Sequence, residues 1–174
     1  MVTNNGSELL HITPPFSGTE ATAEKASRIS VLYVDETPNI LDIVCRYLER
    51  SGEMMVDTSF SIEDAINKMR YISYDVIVTD YNFEDGSANT LLKYTREKGD
   101  RIPFVYFALF RMEDLEEEAM RYGGVTFTGK SALYSRSPFS DLEQAIKKMA
   151  LAYHEEVDIT GEDPVHMAQR ESSS

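Results

Sequence analysis

Tryptophan is absent, cysteine occurs once, and basic residues are too few to balance the acidic ones. Cys45 alone cannot build an internal disulfide framework, and a lone thiol fits a reducing compartment. Lysine and arginine number 17 against 30 aspartates and glutamates, a formal net charge of −13. Such a surface lacks the basic stripe that nucleic acid requires and the polybasic segment that anionic membranes attract. No apolar run approaches the length that spans a bilayer. The opening MVTNNGSELLHITPP has no basic region ahead of an apolar core, so no secretory signal is visible. His11, His154 and His166 lack ligand spacing and do not point to a metal. The absences together imply a soluble, acidic, cytoplasmic chain without nucleic-acid or membrane partners. With 174 residues, 42% of them hydrophobic, it has enough apolar material for one packed domain and loose ends.

The first 27 residues are rich in Ser, Thr, Asn, Glu and Pro and read as a disordered leader. The last stretch, 155–174, is acidic and polar and reads as a flexible tail, leaving 28–154 as the folded unit. Inside it, short β-branched runs alternate with segments of helical period. Strands are predicted at Ile29–Val34, Met54–Thr58, Asp75–Thr79, Ile102–Phe107 and Val125–Thr128. Helices are predicted between them, opened by Pro38 and Ser61 and stopped by Gly52 and Gly99. The fourth covers Met112–Tyr122, whose run Glu113–Glu118 reads as a solvated face, and a fifth carries Leu142, Ala145, Ile146 and Met149. Phe104, Tyr106 and Phe107 read as core, and Cys45 as a small apolar residue of the first helix. Five strands alternating with five helices predict an α/β fold with a doubly wound, five-stranded parallel sheet. The leading arrangement is the flavodoxin-like (βα)5 order 2-1-3-4-5, which binds ligands at the carboxyl ends of the first and third strands.

Those two strands end in Asp35-Glu36 and in Asp80, and the fifth ends in Phe127-Thr128-Gly129-Lys130. Three carboxylates gathered at one sheet edge repel one another unless a proton or a cation intervenes. Hard oxygen donors with room for water and phosphate oxygens suit Mg²⁺. Screened by a cation, a carboxylate can attack a phosphoryl group and form an aspartyl phosphate. A lysine on the same edge can pair with Asp80 at rest and with a phosphoryl oxygen afterwards.

These segments carry a resemblance. VLYVDETPNI, YDVIVTDYNFEDGSANTLL, IPFVYFAL and GGVTFTGK resemble, in order and spacing, the signature blocks of response-regulator receiver domains of two-component signalling. The resemblance implies that Asp80 is the phosphoacceptor and that Asp35 and Glu36 bind Mg²⁺ directly or through water. It also implies that Asn82 offers a main-chain carbonyl to the metal and that Lys130 contacts the phosphoryl group. The implied partner is a histidine kinase or phosphotransfer protein, with a homodimer through the fourth helix, fifth strand and fifth helix as a further option. It implies no enzyme beyond self-catalysed phosphoryl uptake and slow autodephosphorylation.

The chain departs from the family pattern at several points. Ala108 stands where the family has Ser or Thr, Glu36 is one methylene longer than the usual Asp, and Glu84 replaces a common Pro. Ser131 follows Lys130 in place of Pro, and the loop to Pro138 is longer than usual. The alternative function is therefore a pseudo-receiver, a binding module that works without phosphorylation. With Ala108 vacating space, Phe127 is expected to lie buried at rest. A hydrolase passing through an aspartyl phosphate would want a second aspartate two residues after the nucleophile, and neither Asp35 nor Asp80 has one. Flavin binding would need a Ser/Thr/Gly-rich loop after the first strand, which is missing. No output domain is visible in the sequence.

Overall fold

A computed structural model describes residues 28–131 and 137–160. The leader 1–27, most of the loop before Pro138 and the end of the tail lie outside the described residues. In chain order the elements are β1 (Ile29–Val34), α1 (Pro38–Glu49), β2 (Met54–Ser59), α2 (Ile62–Met69) and β3 (Val76–Thr79). Two-residue strands β4 (Asn82–Phe83) and β5 (Gly86–Ser87) follow, then α3 (Ala88–Glu97), β6 (Phe104–Ala108), α4 (Glu113–Tyr122), β7 (Val125–Gly129) and α5 (Pro138–Thr160). The main sheet runs β2-β1-β3-β6-β7, all parallel, and β4 and β5 form a separate antiparallel pair. Counting only the strands of the main sheet, this is the flavodoxin-like order 2-1-3-4-5 expected from the sequence.

Local chemistry explains where the elements begin. Pro38 occupies the first turn of α1, where a missing N–H costs nothing. Ser61 caps α2 by accepting from the Asp64 N–H at 3.0 Å. Asp85, from the β4–β5 turn, accepts from the N–H groups of Ile62 and Glu63 at 3.2 and 2.9 Å, tying that turn to the positive end of α2. Ser87 and Thr90 form a reciprocal capping box at the start of α3. Between α4 and β7 the chain needs two successive left-handed residues, φ 72° and 65°, which Gly123 and Gly124 supply.

Side-chain alternation along the buried strands makes two cores. Val31, Tyr33, Val76, Val78, Val105 and Phe107 face α1 and α5, meeting Leu41, Val44, Leu48, Leu142 and Ile146. Leu32, Val34, Ile77, Phe104 and Tyr106 face α2, α3 and α4, meeting Ile62, Ala65, Leu91, Leu92 and Ala119. Cys45 sits half-buried against the first core. Burial, followed by nearby carboxylates, pushes its thiol up to about 11, which favours the neutral thiol over the thiolate. Among the described residues no helix is long and apolar enough to cross a membrane.

Three expectations are corrected. β3 begins at Val76, and Asp75 precedes it with its N–H on Ser30 O and its carboxylate on the Ser30 N–H, both at 2.7 Å. The β4–β5 pair was not foreseen; two residues per strand carry no readable period. The boundary at 154 is too early, since α5 continues to Thr160. Glu155 and Glu156 are good helix formers placed on an exposed face, while Tyr153 and Val157 keep a half-buried stripe along the helix.

Ile146 is fully buried and Ile159 is 84% exposed on the same helix. Ile146→Ala should lower stability by about 2–5 kcal/mol, and Ile159→Ala should change it by less than about 0.5 kcal/mol, as read by urea unfolding. Equal losses would mean that the extended end of α5 is packed like its start.

Candidate functional site

The parallel register brings the predicted residues together. Val34 is aligned with Thr79 across β1 and β3, so the next residues, Asp35 and Asp80, leave the sheet side by side. Main-chain bonds hold each exit: Asp35 N–H to Ser59 O at 3.0 Å, Asp80 N–H to Val34 O at 3.2 Å and Lys130 N–H to Ala108 O at 2.8 Å. Lys130 thus enters from β7 on the far side of β3, and its side chain reaches back across the edge.

The Lys130 ammonium lies 2.5 Å from Asp35 Oδ2 and 2.5 Å from Asp80 Oδ2. It also stands 5.6 Å from the centre of the Phe107 ring, a cation–π approach. Two carboxylates share one cation, and attraction at 2.5 Å outweighs repulsion between oxygens that cannot approach within about 3 Å of each other. Burial divides the pair sharply. Asp35 is 2% exposed and fully bonded: Oδ2 also accepts from the Tyr33 hydroxyl at 2.9 Å, and Oδ1 from the Thr37 N–H at 2.8 Å. Burial and then the Asp35 charge push the Tyr33 phenol far upward, so it stays a neutral donor. Asp80 is 31% exposed, with Oδ1 accepting from the Tyr81 N–H at 2.7 Å.

The other two predicted residues stand apart from this triad. Glu36 is exposed and its Oε1 accepts from the Glu84 N–H of the β4–β5 turn at 2.6 Å. Asn82 is exposed in β4, with its amide nitrogen 3.0 Å from Met112 Sδ. Among the described residues no three His, Cys, Asp or Glu side chains converge as a metal cluster. The donor chemistry nonetheless fits Mg²⁺, since Asp35, Glu36 and Asp80 offer only hard oxygens at adjoining strand ends. In this arrangement those oxygens are turned to an ammonium and to N–H and O–H groups.

Beside the triad, Ala108 and the Phe127 ring line an open cleft of about 550 Å³ with Tyr81, Arg111 and Glu116. Phe127 is half-buried and not fully enclosed as expected, but it points inward, its ring 5.1 Å from that of Tyr106. The Tyr81 ring is also tilted against that of Tyr106, at 5.4 Å, and its hydroxyl donates to Glu116 Oε1 at 2.5 Å. Arg111 closes on both oxygens of Glu116, its Nε 3.1 Å from each. The run Glu113–Glu118 is therefore not uniformly solvated: Glu116 is only 3% exposed. Tyr81, Arg111 and Glu116 were not singled out from the sequence. The available signal was helical phase, since Glu116 lies three residues before Ala119 on the inward face of α4.

Two outcomes follow for this network and the triad. Removing Lys130 strands a buried carboxylate, so Lys130→Met should cost about 3–5 kcal/mol in urea unfolding at neutral pH; a loss under about 1 kcal/mol would deny the bridge. The Arg111 hydrogen bonds hold the Glu116 carboxyl below its ordinary range, against the opposing effect of burial. A depressed acid stabilises the fold above its unfolded pKa, and that stability is lost as pH falls through the folded value. Stability should therefore decline as pH drops below about 4.3, and Arg111→Gln should flatten that decline.

Comparison with known proteins gives the family and the fold. The family model for the response regulator receiver domain matches residues 31–136. A search of curated proteins found no match. Among solved structures, a CheY-like response regulator receiver domain protein from Methanospirillum hungatei is similar at 18% identity and TM-score 0.66, covering 75% of this chain and 99% of that one. The response regulator TrrA from Thermotoga maritima, solved in complex with Mg²⁺–BeF, is similar at 21% identity and TM-score 0.59, covering 70% and 98%. A two-component response regulator from Clostridium difficile is similar at 23% identity and TM-score 0.60, covering 70% and 97%. Identities at this level speak for the fold, and the family model spans well over half of the chain. The chain belongs to the response regulator receiver domain family.

Proposed function

We propose that the domain takes a phosphoryl group onto Asp80 from the phosphohistidine of a histidine kinase or phosphotransfer protein in the cytoplasm. The observation that carries this reading is the unequal burial of two carboxylates sharing one ammonium. Asp35 is sealed at 2% exposure, and Asp80 opens to solvent at 31%. Only Asp80 can meet an incoming donor. Its carboxylate oxygen attacks phosphorus, the phosphorus–nitrogen bond breaks, and the imidazole nitrogen leaves with the electron pair. Lys130, anchored by Asp35, is placed to follow the developing charge from the carboxylate to a phosphoryl oxygen.

Asp35, Glu36 and Asp80, with the main-chain carbonyl of Asn82, would hold Mg²⁺, as the Thermotoga relative carries Mg²⁺ with BeF. When bound, the cation supplies neutralising charge at the acceptor. Glu36 Oε1 also accepts from the Glu84 N–H, which ties the β4–β5 turn to one of the residues that would hold the cation. Ala108 contributes no hydroxyl, and a hydrogen bond to a charged group is typically worth about 1.5–3 kcal/mol. With Phe127 already turned in against Tyr106, this favours weak conformational response, and it is the observation behind a second reading, a receiver that works by partner contact alone.

Intact mass after incubation with Mg²⁺ and acetyl phosphate separates the readings. The wild type should gain one phosphoryl group and Asp80→Asn none; no gain in the wild type, or equal gain in the variant, would remove Asp80 as acceptor. Mg²⁺ should raise the melting temperature of the wild type. Glu36→Gln keeps an acceptor for the Glu84 N–H and should blunt that rise, whereas an unchanged rise would place the cation elsewhere.

A further inference from the structure

Helix α4 is fastened to the domain by polar groups as well as by apolar contacts, with Leu115 and Tyr122 packed half-buried against the core. Of its residues only Glu116 and Ala119 are fully buried, and one of those two is a carboxylate. Two tethers hold it. Asn89 of α3 donates to Leu115 O at 3.0 Å and Glu118 Oε2 at 2.7 Å, and is itself oriented by the Tyr106 hydroxyl at 2.7 Å. The other tether is the Tyr81 hydroxyl on Glu116, with Arg111 clamping the same carboxylate. Tyr81 is also the residue whose N–H donates to Asp80 Oδ1 at 2.7 Å. One residue therefore touches the carboxylate at the strand end through its main chain and α4 through its side chain.

We propose that Tyr81, held by Glu116 and Arg111, is a positioning residue that couples the charge on Asp80 to the docking of α4, in place of the hydroxyl that Ala108 lacks. The proposal rests on the reading of Asp80 as the acceptor. An ionised carboxylate is a much stronger acceptor than a neutral carbonyl. When the attacked oxygen becomes an ester oxygen and its partner a neutral carbonyl, the Tyr81 N–H loses most of its hold on Asp80. The peptide between the two residues can then turn. The Tyr81 hydroxyl sits at the far end of a rigid ring, so a small turn at the backbone moves it appreciably against Glu116, and hydrogen bonds weaken steeply with misalignment.

Space and charge both permit the movement. Tyr81 lines the same cleft as Ala108 and Phe127, so the ring has room beside it. Glu116 keeps Arg111 when the phenol departs, so no buried carboxylate is stranded. A helix with only two fully buried side chains, one of them a carboxylate, can respond to the loss of one tether by local opening, without the rest of the domain unfolding.

Hydrogen exchange on the resting protein, without phosphodonor, tests the link. Tyr81→Phe keeps the ring and removes the hydroxyl; it should speed exchange of the Glu116–Ala119 amides about tenfold and leave β1 and α1 unchanged. Asp80→Asn neutralises the strand-end carboxylate and should speed the same amides in the wild-type background. In the Tyr81→Phe background it should add nothing. Equal acceleration by Asp80→Asn in both backgrounds, or none in either, overturns the proposal. If exchange in β1 shows Tyr81→Phe to be globally destabilised, Glu116→Gln replaces it in the cycle, with the same non-additivity expected and the same additivity refuting it. Phosphoryl labelling is scored separately: a cycle that is additive in a protein that labels refutes the link alone, and an unlabelled wild type with a non-additive cycle refutes the acceptor reading alone.

Discussion

One ammonium shared by two carboxylates organises the end of the sheet. Lys130 lies 2.5 Å from both Asp35 and Asp80, and it comes from a strand that does not touch β1. The pairing therefore closes a circuit across β1, β3, β6 and β7 at the carboxyl edge. Any slip of register in this sheet would break it, because the three residues meet only when each strand ends where it does. The cost of burying Asp35 is met by the Tyr33 hydroxyl, the Thr37 N–H and Lys130 together. Asp80, by contrast, is 31% exposed. That asymmetry follows from two strands of the same sheet, and under the proposed function it suits one carboxylate to anchor the lysine and the other to react.

The neighbouring face follows a different rule. Tyr81 and Phe127 each pack a tilted ring against Tyr106, with ring separations of 5.4 and 5.1 Å. Two of these rings end in hydroxyls that lead, directly or through Asn89, to α4. In the family, a hydroxyl at the position of Ala108 would link the phosphoryl site to this face. Here the alanine leaves a cleft, and the contacts between strand end and helix run through tyrosines. The same arrangement makes α4 the least apolar of the packed helices.

The sheet order was readable because buried parallel strands write themselves as β-branched and aromatic runs, and because each helix opens on Pro38, a capping Ser61 or a comparable turn residue. The triad was readable for a related reason: Asp35, Asp80 and Lys130 each end such a run, so their positions are dictated by strand ends. Glu36 was read as one of the strand-end carboxylates and Asn82 was placed by resemblance alone; both lie in loop and hairpin, where side-chain direction depends on partners such as the Glu84 N–H and Met112. Glu116 was hidden by composition, since a buried glutamate inside an acidic run looks like its solvated neighbours until Tyr81 and Arg111 are found beside it. The end of α5 was misjudged because acidic residues that suggest a loose tail are equally good helix formers on an exposed face.

The central claim is that the Lys130-bridged carboxylates form a site that receives a phosphoryl group on Asp80. Fluorine-19 NMR with beryllofluoride and Mg²⁺ reads that site directly, because the trifluoride occupies the phosphoryl position on a receptive carboxylate. The account predicts bound fluorine resonances in the wild type that vanish in Asp80→Asn. Bound resonances that persist in Asp80→Asn, or none in the folded wild type at saturating beryllofluoride, would contradict it.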